Sequence, residues 1–466
     1  MPARAQAASE DLTGWMARQY ALSAKALLGA ISRTDLVKER RGFGRWVRPA
    51  KGSILASPVL AAYDPDPDYF FHWMRDSAVV IDALRQLVES GGVDAQEGLG
   101  IFRDFLSFSL ALSALDGRDF LEKAGDYRAK VEPHFLQFLR PEAEIREIAG
   151  DNVLGEPRFD PDGALDILKW SRPQHDGPAL RVLAVLRFCS SAAAGDAEVR
   201  ALAGQLLRRD LAFTLARWRT PSFDIWEEEL GRHYYTRLVQ SEALSEGARW
   251  LEGIGEAWEA NACREAAREI ETQLRDFWSD EKGFTRSRLG ASGEKDLDIA
   301  TLLAVIHAGR LKGAHSVCDP KTLATAARLE DLFGRLYKIN EAAPEGRAPA
   351  MGRYADDRYY SGGAYYFSTL GAAEFYYRAA ARRDASPLHD ADHAMSFDAL
   401  LRRGDMFMAT VAAFTPANGD LSEQFDRSTG AQTSAKNLAW SHAAFITAFA
   451  SRAKALRARH SGGAAT

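Results

Sequence analysis

The chain of 466 residues is predicted to be all-α, a single unit of paired helices. Three observations carry this. Apolar residues recur at helical spacing in about a dozen segments, alternating strand patterns are scarce, and no strand–helix–strand rhythm appears. Hydrophobic residues make up 46% and charged residues 26%, the balance of a globular protein with a large core. The length would hold several average domains, yet no linker, low-complexity tract or repeat divides it. We expect one catalytic domain over residues 1–466, with its core at about 10–457 and a short disordered tail at 458–466.

The elements follow in order. "ALSAKALLGAI" (21–31), interrupted by Lys25, reads as an amphipathic helix rather than the apolar core of a secretion signal. "MRDSAVVIDALRQLVES" (74–90) puts Val79, Val80, Leu84 and Leu87 on one face. Helical spacing continues through 98–115, 177–188, 200–218, 236–258, 261–278, 323–337, 366–383, 395–414 and 434–456. Between them lie long loops rich in Gly, Pro, Asp and aromatics, notably 144–177 and 340–364. Loops of that length in a compact unit usually carry function.

Charge and cysteine usage exclude several classes. A net charge of −5 with both signs interspersed offers no basic field for nucleic acid. Cys189, Cys263 and Cys318 are far apart and lack a CxxC partner, which argues against a disulfide framework or a zinc site. No stretch of eighteen apolar residues reads as a membrane span. We expect a monomer without cofactor or metal, and, with no evident signal peptide, a cytoplasmic one, a periplasmic or secreted location staying open.

The chemistry-bearing residues sit in the loops. "YDPDPDYFFHWMRDSA" spaces Asp64, Asp66 and Asp68 like a calcium loop, but lacks the sixth-place Gly and has Arg75 at the twelfth. Arg75 and Asp76 can instead grip sugar hydroxyls beside an apolar wall from Trp73, or form a buried pair anchoring the helix. "KWSRPQHDGPAL" sets Trp170 before a Pro-bounded helix entry, where it is a helix-entry lock or a pocket wall. "MGRYADDRYYSGGAYYF" offers Arg353, Tyr359, Tyr360 and Tyr365, suited to sugar faces and hydroxyls or to a plain aromatic cluster. "FDIWEEELG" holds Glu227, Glu228 and Glu229 after Trp226, and Glu423 lies in a Gly-flanked loop before the last helix. Either acidic stretch alone reads as solvated surface. No nucleophile elbow, HExxH or phosphate loop occurs, and His389 and His393 in "HDADH" lack a third ligand. Aromatics, Arg/Asp pairs and two separated acidic loops together make a carbohydrate site.

The stretches "PDYFFHWMRDS", "GEPRFDPDG", "WSRPQHDGPALR", "FDIWEEELGRHYYT", "GRYADDRYY" and "LSEQFDRSTGAQTSAKNLAWSHAA" resemble the glucoamylase family in order and spacing, over roughly residues 45–455. The resemblance implies an (α/α)6 toroid of six inner and six outer helices with the functional loops at one end. It implies an inverting exo-α-glucosidase acting on maltodextrin or isomalto-oligosaccharide. Glu227 would be the general acid and Glu423 the general base. Arg75 and Asp76 would hold the terminal glucose, Tyr69 would stand near the attacking water, and Glu228 would bind substrate. Trp170, Asp224, Arg353 and Tyr359 would line the pocket as further matching positions, Trp226 and Tyr365 are expected to line it beside them, and Glu229 would be solvated. Crowding by Glu228 and Asp224, with Trp226 and Trp170 lowering the polarity, would keep Glu227 protonated.

The chain also departs from the family. Ala364-Tyr365 replaces a Pro-Trp pair, His72 replaces a small hydroxyl residue before Trp73, and no starch-binding module is evident. These departures favour short soluble α-glucosides over granular starch. A trehalase or phosphorylase-like enzyme on the same toroid, or a non-catalytic sugar-binding protein, are the alternative readings.

Overall fold

The computed structural model describes residues 11–462 apart from 63–64, 192–194, 291–292, 311, 342–343, 345 and 384–394. Among the described residues, helices of nine residues or more are α1 (Leu12–Leu28), α2 (Met74–Glu89), α3 (Ala95–Leu112), α4 (Asp176–Ser191), α5 (Ala197–Arg217) and α6 (Tyr234–Gly253). They continue as α7 (Ala257–Leu274), α8 (Ala300–Ala308), α9 (Pro320–Leu336), α10 (Tyr366–Arg383), α11 (Phe397–Phe414) and α12 (Ala439–Gly462). The even-numbered helices pack side by side, α2 on α4, then α6, α8, α10, α12 and back to α2. The odd-numbered ones lie outside this ring: α1 on α12, α3 on α2 and α5, α5 on α4, α7 on α6, α9 on α8 and α11 on α10. The fold is the expected (α/α)6 toroid.

Burial explains the sorting. The outer helix α9 buries Thr322, Thr325, Ala326, Leu329 and Phe333, one stripe at three- and four-residue spacing. The inner helix α8, "ATLLAVIHA", is buried on every side from Ala300 to Ile306. Outer helices start on side-chain caps, Asp11, Asp94, Asp196, Asp319 and Ser396 for α1, α3, α5, α9 and α11. Inner and outer layers are also pinned by charge, as where buried Arg181 of α4 makes two hydrogen bonds, at 2.7 and 2.8 Å, to Asp210 of α5.

Three boundaries differ from expectation. The segment 236–258 is not one helix, because a turn at Ile254–Glu256, with Gly255 at φ 86°, separates α6 from α7. The last helix starts at Ala439 rather than 434, after Ser434 and Asn437 adopt positive φ, and it continues to Gly462, past the expected tail boundary. Helix α8 had no counterpart in the sequence reading.

The connections are unequal. Those entering inner helices span 29–73, 113–175, 218–233, 275–299, 337–365 and 415–438, whereas those leaving them span 90–94, 192–196, 254–256, 309–319 and 384–396. The long loops therefore gather at the N-terminal ends of the inner helices. Short antiparallel strands tie them in pairs: His72–Trp73 to Arg158–Phe159, Leu230–His233 to Arg288–Leu289, and Ala364–Tyr365 to Gln424–Phe425. Further contacts join the pairs. Phe223 donates its N–H to the Pro173 carbonyl at 2.9 Å, Ile299 to the Arg353 carbonyl at 2.9 Å, and Lys436 pairs with Asp66 at 2.7 Å. The loops thus form a second ring on top of the helical one. At its base, α2 and α4 start close together: a Cβ on Gly177 would come within 2.9 Å of Met74.

Candidate active site

The loop ring encloses a pocket of about 500 Å³, lined by Tyr69, Arg75, Asp76, Trp170, Trp226, Glu227, Glu228, Arg353, Tyr359 and Glu423 among others. Phe367 and Trp440, stacked at 4.4 Å, form its floor and separate it from a tighter cavity along the toroid axis.

Tyr69 is aimed by its neighbours. Asp68 pairs with Lys38 at 2.6 Å and with Arg40, and accepts the Phe70 N–H at 3.0 Å. Asp66 is held by Lys436, so both of these acids are neutralised by cations, while Asp64 lies outside the described residues. The Tyr69 hydroxyl lies 2.9 Å from that of Tyr359 and donates to Glu423 Oε1 at 3.3 Å.

In the strand that follows, alternation sends His72 and Trp73 opposite ways. His72 Nδ1 accepts the Ile54 N–H at 3.0 Å and its ring meets Phe108 edge-on at 5.0 Å. Burial pushes this imidazole down to about 3. His72 therefore faces away from the pocket, and its replacement of a small residue does not reshape the site. Trp73 turns inward and donates its indole N–H to Glu227 Oε1 at 2.8 Å.

Arg75 is buried. Its guanidinium donates to Gln174 at 2.9 Å, to Asp176 at 3.3 Å and to Glu227 Oε1 at 3.3 Å, and its Nε is 3.5 Å from Asp76. Burial, reinforced by Glu227 and Asp176 against the pull of Arg75, pushes the Asp76 carboxyl up to about 6. Arg75 Nε and one oxygen of Asp76 have no hydrogen-bond partner. The pair is both a helix anchor and a pocket group, so the two readings of this stretch converge.

Trp170 donates its indole N–H to Glu227 Oε2. The residue is 40% exposed, and its ring rests on the Arg158 guanidinium at 3.5 Å. Asp166 fixes Arg158 at 2.8 Å, which gives the "GEPRFDPDG" stretch its part in the site.

Glu227 itself has φ 65°, a left-handed backbone that costs a non-glycine residue about 1–3 kcal/mol and persists only where surroundings enforce it. Its N–H donates to the Asp224 carbonyl at 3.0 Å, and Asp224 Oδ1 accepts the N–H groups of Glu228 at 2.8 Å and Glu229 at 3.2 Å. Ser171 donates its hydroxyl to the Glu227 carbonyl.

The neighbouring acids are not free to repel Glu227. Lys295 bridges Asp224 and Glu228, at 2.6 Å to each, and Glu228 also meets Arg353 at 2.9 Å and the Tyr354 hydroxyl at 2.6 Å. Glu229 is paired with Arg288 and partly exposed. The expectation that Asp224 and Glu228 would crowd Glu227 with negative charge is thus corrected, because cations neutralise both. Nor does Trp170 simply lower the polarity, since it points its N–H at the carboxyl, as Trp73 also does, while Trp226 turns its own N–H to Asp298.

Glu423 is buried among hydroxyls. Ser434 donates to Oε2 and Tyr69 to Oε1. Burial pushes its carboxyl up to about 7, opposed by these donors and by Arg353.

Two expected pocket residues stand behind the wall. Asp224 caps the acid turn, and Tyr365 lies under the Arg353 guanidinium with its hydroxyl taking a hydrogen bond from Gln424 at 2.7 Å. Ser171, Lys295, Phe367, Ser434, Leu438 and Trp440 were not anticipated. Ser434 and Trp440 fall within a quoted stretch, as Ser171 does, but nothing in their type distinguishes them from structural residues. Among the described residues no group of three His, Cys, Asp or Glu side chains could hold a metal ion, and His389 and His393 lie outside them.

A family model for glycosyl hydrolases family 15 matches residues 44–450. The chain is 27% identical to glucoamylase 1 of Rhizopus oryzae, covering 97% of this chain and 73% of that protein. It is 28% identical to glucoamylase P of Amorphotheca resinae, covering 94% and 70%. It superposes on the structure of Hormoconis resinae glucoamylase with a TM-score of 0.77 at 28% identity, over 95% of this chain and 74% of that one. The Saccharomycopsis fibuligera glucoamylase structure shares the fold, with a TM-score of 0.76 at 22% identity over 96% of each chain.

Proposed function

The chain belongs to glycosyl hydrolases family 15, and we propose that it releases glucose from the non-reducing ends of α-glucosides, maltodextrin or isomalto-oligosaccharide, with inversion at the anomeric carbon. The curated relatives and solved structures above are named glucoamylases, which supports an α-glucan substrate. In this reading the terminal glucose enters until it meets the Phe367–Trp440 floor. Arg75 and Asp76, which line the pocket, take its hydroxyls, and the open face of Trp170 carries the next ring. Glu227 gives its proton to the glycosidic oxygen while the N–H groups of Trp73 and Trp170 orient its carboxyl. Glu423, ionised, takes a proton from a water that attacks C1, and Tyr69 positions that water. The products are glucose and a chain shorter by one unit.

One observation carries this reading: the two glutamates reach the pocket from different loops with an aromatic pair between them. Tyr69 touches Glu423, Trp73 touches Glu227, and their rings lie 5.2 Å apart. Inversion needs carboxyl groups about 6.5–9.5 Å apart, with a water between the base and the sugar, rather than about 5 Å. Proton NMR during the first minutes of maltose or isomaltose hydrolysis tests it. β-Glucose should appear first; initial α-glucose would remove Glu423 from the role of base. Running the same assay on trehalose, with and without phosphate, separates this reading from its rivals.

A further inference from the structure

Asp298 lies in the loop before α8, adjacent in the loop ring to the one that carries Glu227. It is buried and does not line the pocket. Its carboxyl reaches two ways: Oδ1 accepts the Ala300 N–H at 2.7 Å and Oδ2 accepts the Trp226 indole N–H at 2.8 Å. Burial pushes the carboxyl up to about 7, and both donors and Lys295 oppose that rise.

Trp226 directly precedes Glu227 in the strained turn. Behind Glu227 the backbone is well secured, because Asp224 caps two N–H groups there. Ahead of it, Trp226 is held through its ring. Packing fixes the plane of that ring, stacked on Phe367 at 6.1 Å and leaning on Tyr365 at 6.2 Å. A stacked ring can still slide in its plane. Among the described residues, the indole N–H makes its directional bond to Asp298 alone, and that bond sets where the ring stops.

We propose that Asp298 is a positioning residue for the general acid: by fixing the Trp226 indole, it holds Glu227 in its left-handed turn with the carboxyl aligned on the leaving oxygen. A carboxylate suits the task, since two N–H donors each need an oxygen. Asparagine offers one oxygen and one NH2, so it leaves one donor facing another.

The inference rests on Glu227 being the acid, so Glu227→Gln is assayed beside Asp298→Asn and Trp226→Phe. Each is measured on maltose and on α-glucosyl fluoride, whose leaving group departs with little help from a proton. Asp298→Asn should lower kcat on maltose about tenfold, with KM and the fluoride rate within about twofold of wild type. Trp226→Phe, which removes the donor from the same bond, should lower the maltose-to-fluoride ratio similarly, and the double variant should lower it no further. An unchanged ratio in Asp298→Asn, equal losses on both substrates, or multiplying effects in the double variant would overturn the inference. Should Asp298→Asn fail to fold, an unchanged ratio in Trp226→Phe overturns it equally. If Glu227→Gln keeps the wild-type ratio, the acid assignment itself has failed.

Discussion

Glu227 and Glu423 share a side chain but not an environment. Three N–H donors converge on Glu227, whereas Glu423 has two hydroxyl donors and deeper burial, which pushes its carboxyl up from 4.5 to about 7. A base works ionised, so the acid limb of kcat/KM should lie near pH 7, and Glu423→Gln should lose about 10²–10⁴-fold in turnover along with that limb. A kcat/KM series across pH checks this, and a limb near pH 4.5 would contradict it. The same shift bears on stability. Between about pH 4.5 and 7 the folded protein keeps a proton that the unfolded chain releases, so stability falls as pH rises through that window and stays lower above it. Glutamine never ionises. Glu423→Gln should therefore melt higher than wild type at pH 8 and alike at pH 4.5; equal melting points at pH 8 would show that burial of this carboxyl costs nothing. Sequence made these glutamates legible only as members of long matching stretches, since each alone looked like surface. It also named the loop of a residue better than its direction: Asp224 and Tyr365 belong to the right loops but turn behind the wall. Asp298 and Lys295 sit in the mixed-charge stretch "EKDLDIA", which carried no site signal in the sequence, and the fold buries both.

Helices with one apolar stripe were readable, and the structure returns nearly all of them within a few residues. Helix α8 was not, because a nine-residue segment apolar on every side has no helical period to detect. The α6–α7 boundary was lost for the opposite reason. Apolar spacing runs on through Ile254 and Trp258, and only Gly255 with its positive φ marks the turn. Long-range pairs between elements leave no trace in a single sequence. Arg181 of α4 and Asp210 of α5 are each 1% exposed in their side chains, and burial pushes the Asp210 carboxyl up against the attraction of Arg181. Removing one partner strands a buried charge. Arg181→Met should destabilise by about 3–5 kcal/mol, while Arg181→Met combined with Asp210→Leu should recover most of that loss. Denaturant melts of both variants measure it, and a double variant as unstable as the single one would show that the pair contributes more than mutual neutralisation.

At the scale of the molecule, the toroid makes two rings, one of helices and one of loops, with opposite consequences for the pocket between them. The helical ring is closed at the base of the pocket, since Phe367 of α10 and Trp440 of α12 stack there and close it from below. The loop ring is open above, where Lys169, Trp170 and Glu228 reach solvent. A substrate can then enter by one route only and advance until its end meets the floor. Arg75 and Asp76, proposed to hold the terminal glucose, stand near that floor, with the Arg75 guanidinium 5.6 Å from the Trp440 ring. On the proposed function, cleavage should require a free chain end, whatever the length or linkage of the rest. A cyclic α-glucan of six to eight glucose units has no end to insert. It should resist hydrolysis at enzyme levels that degrade the linear chain of equal length to glucose. Chromatography of the linear digest should show glucose from the first time point, with each chain shortened by one unit at a time. Maltose or maltotriose released early from the interior, or any opening of the ring, would mean that the pocket passes a chain through rather than stopping its end.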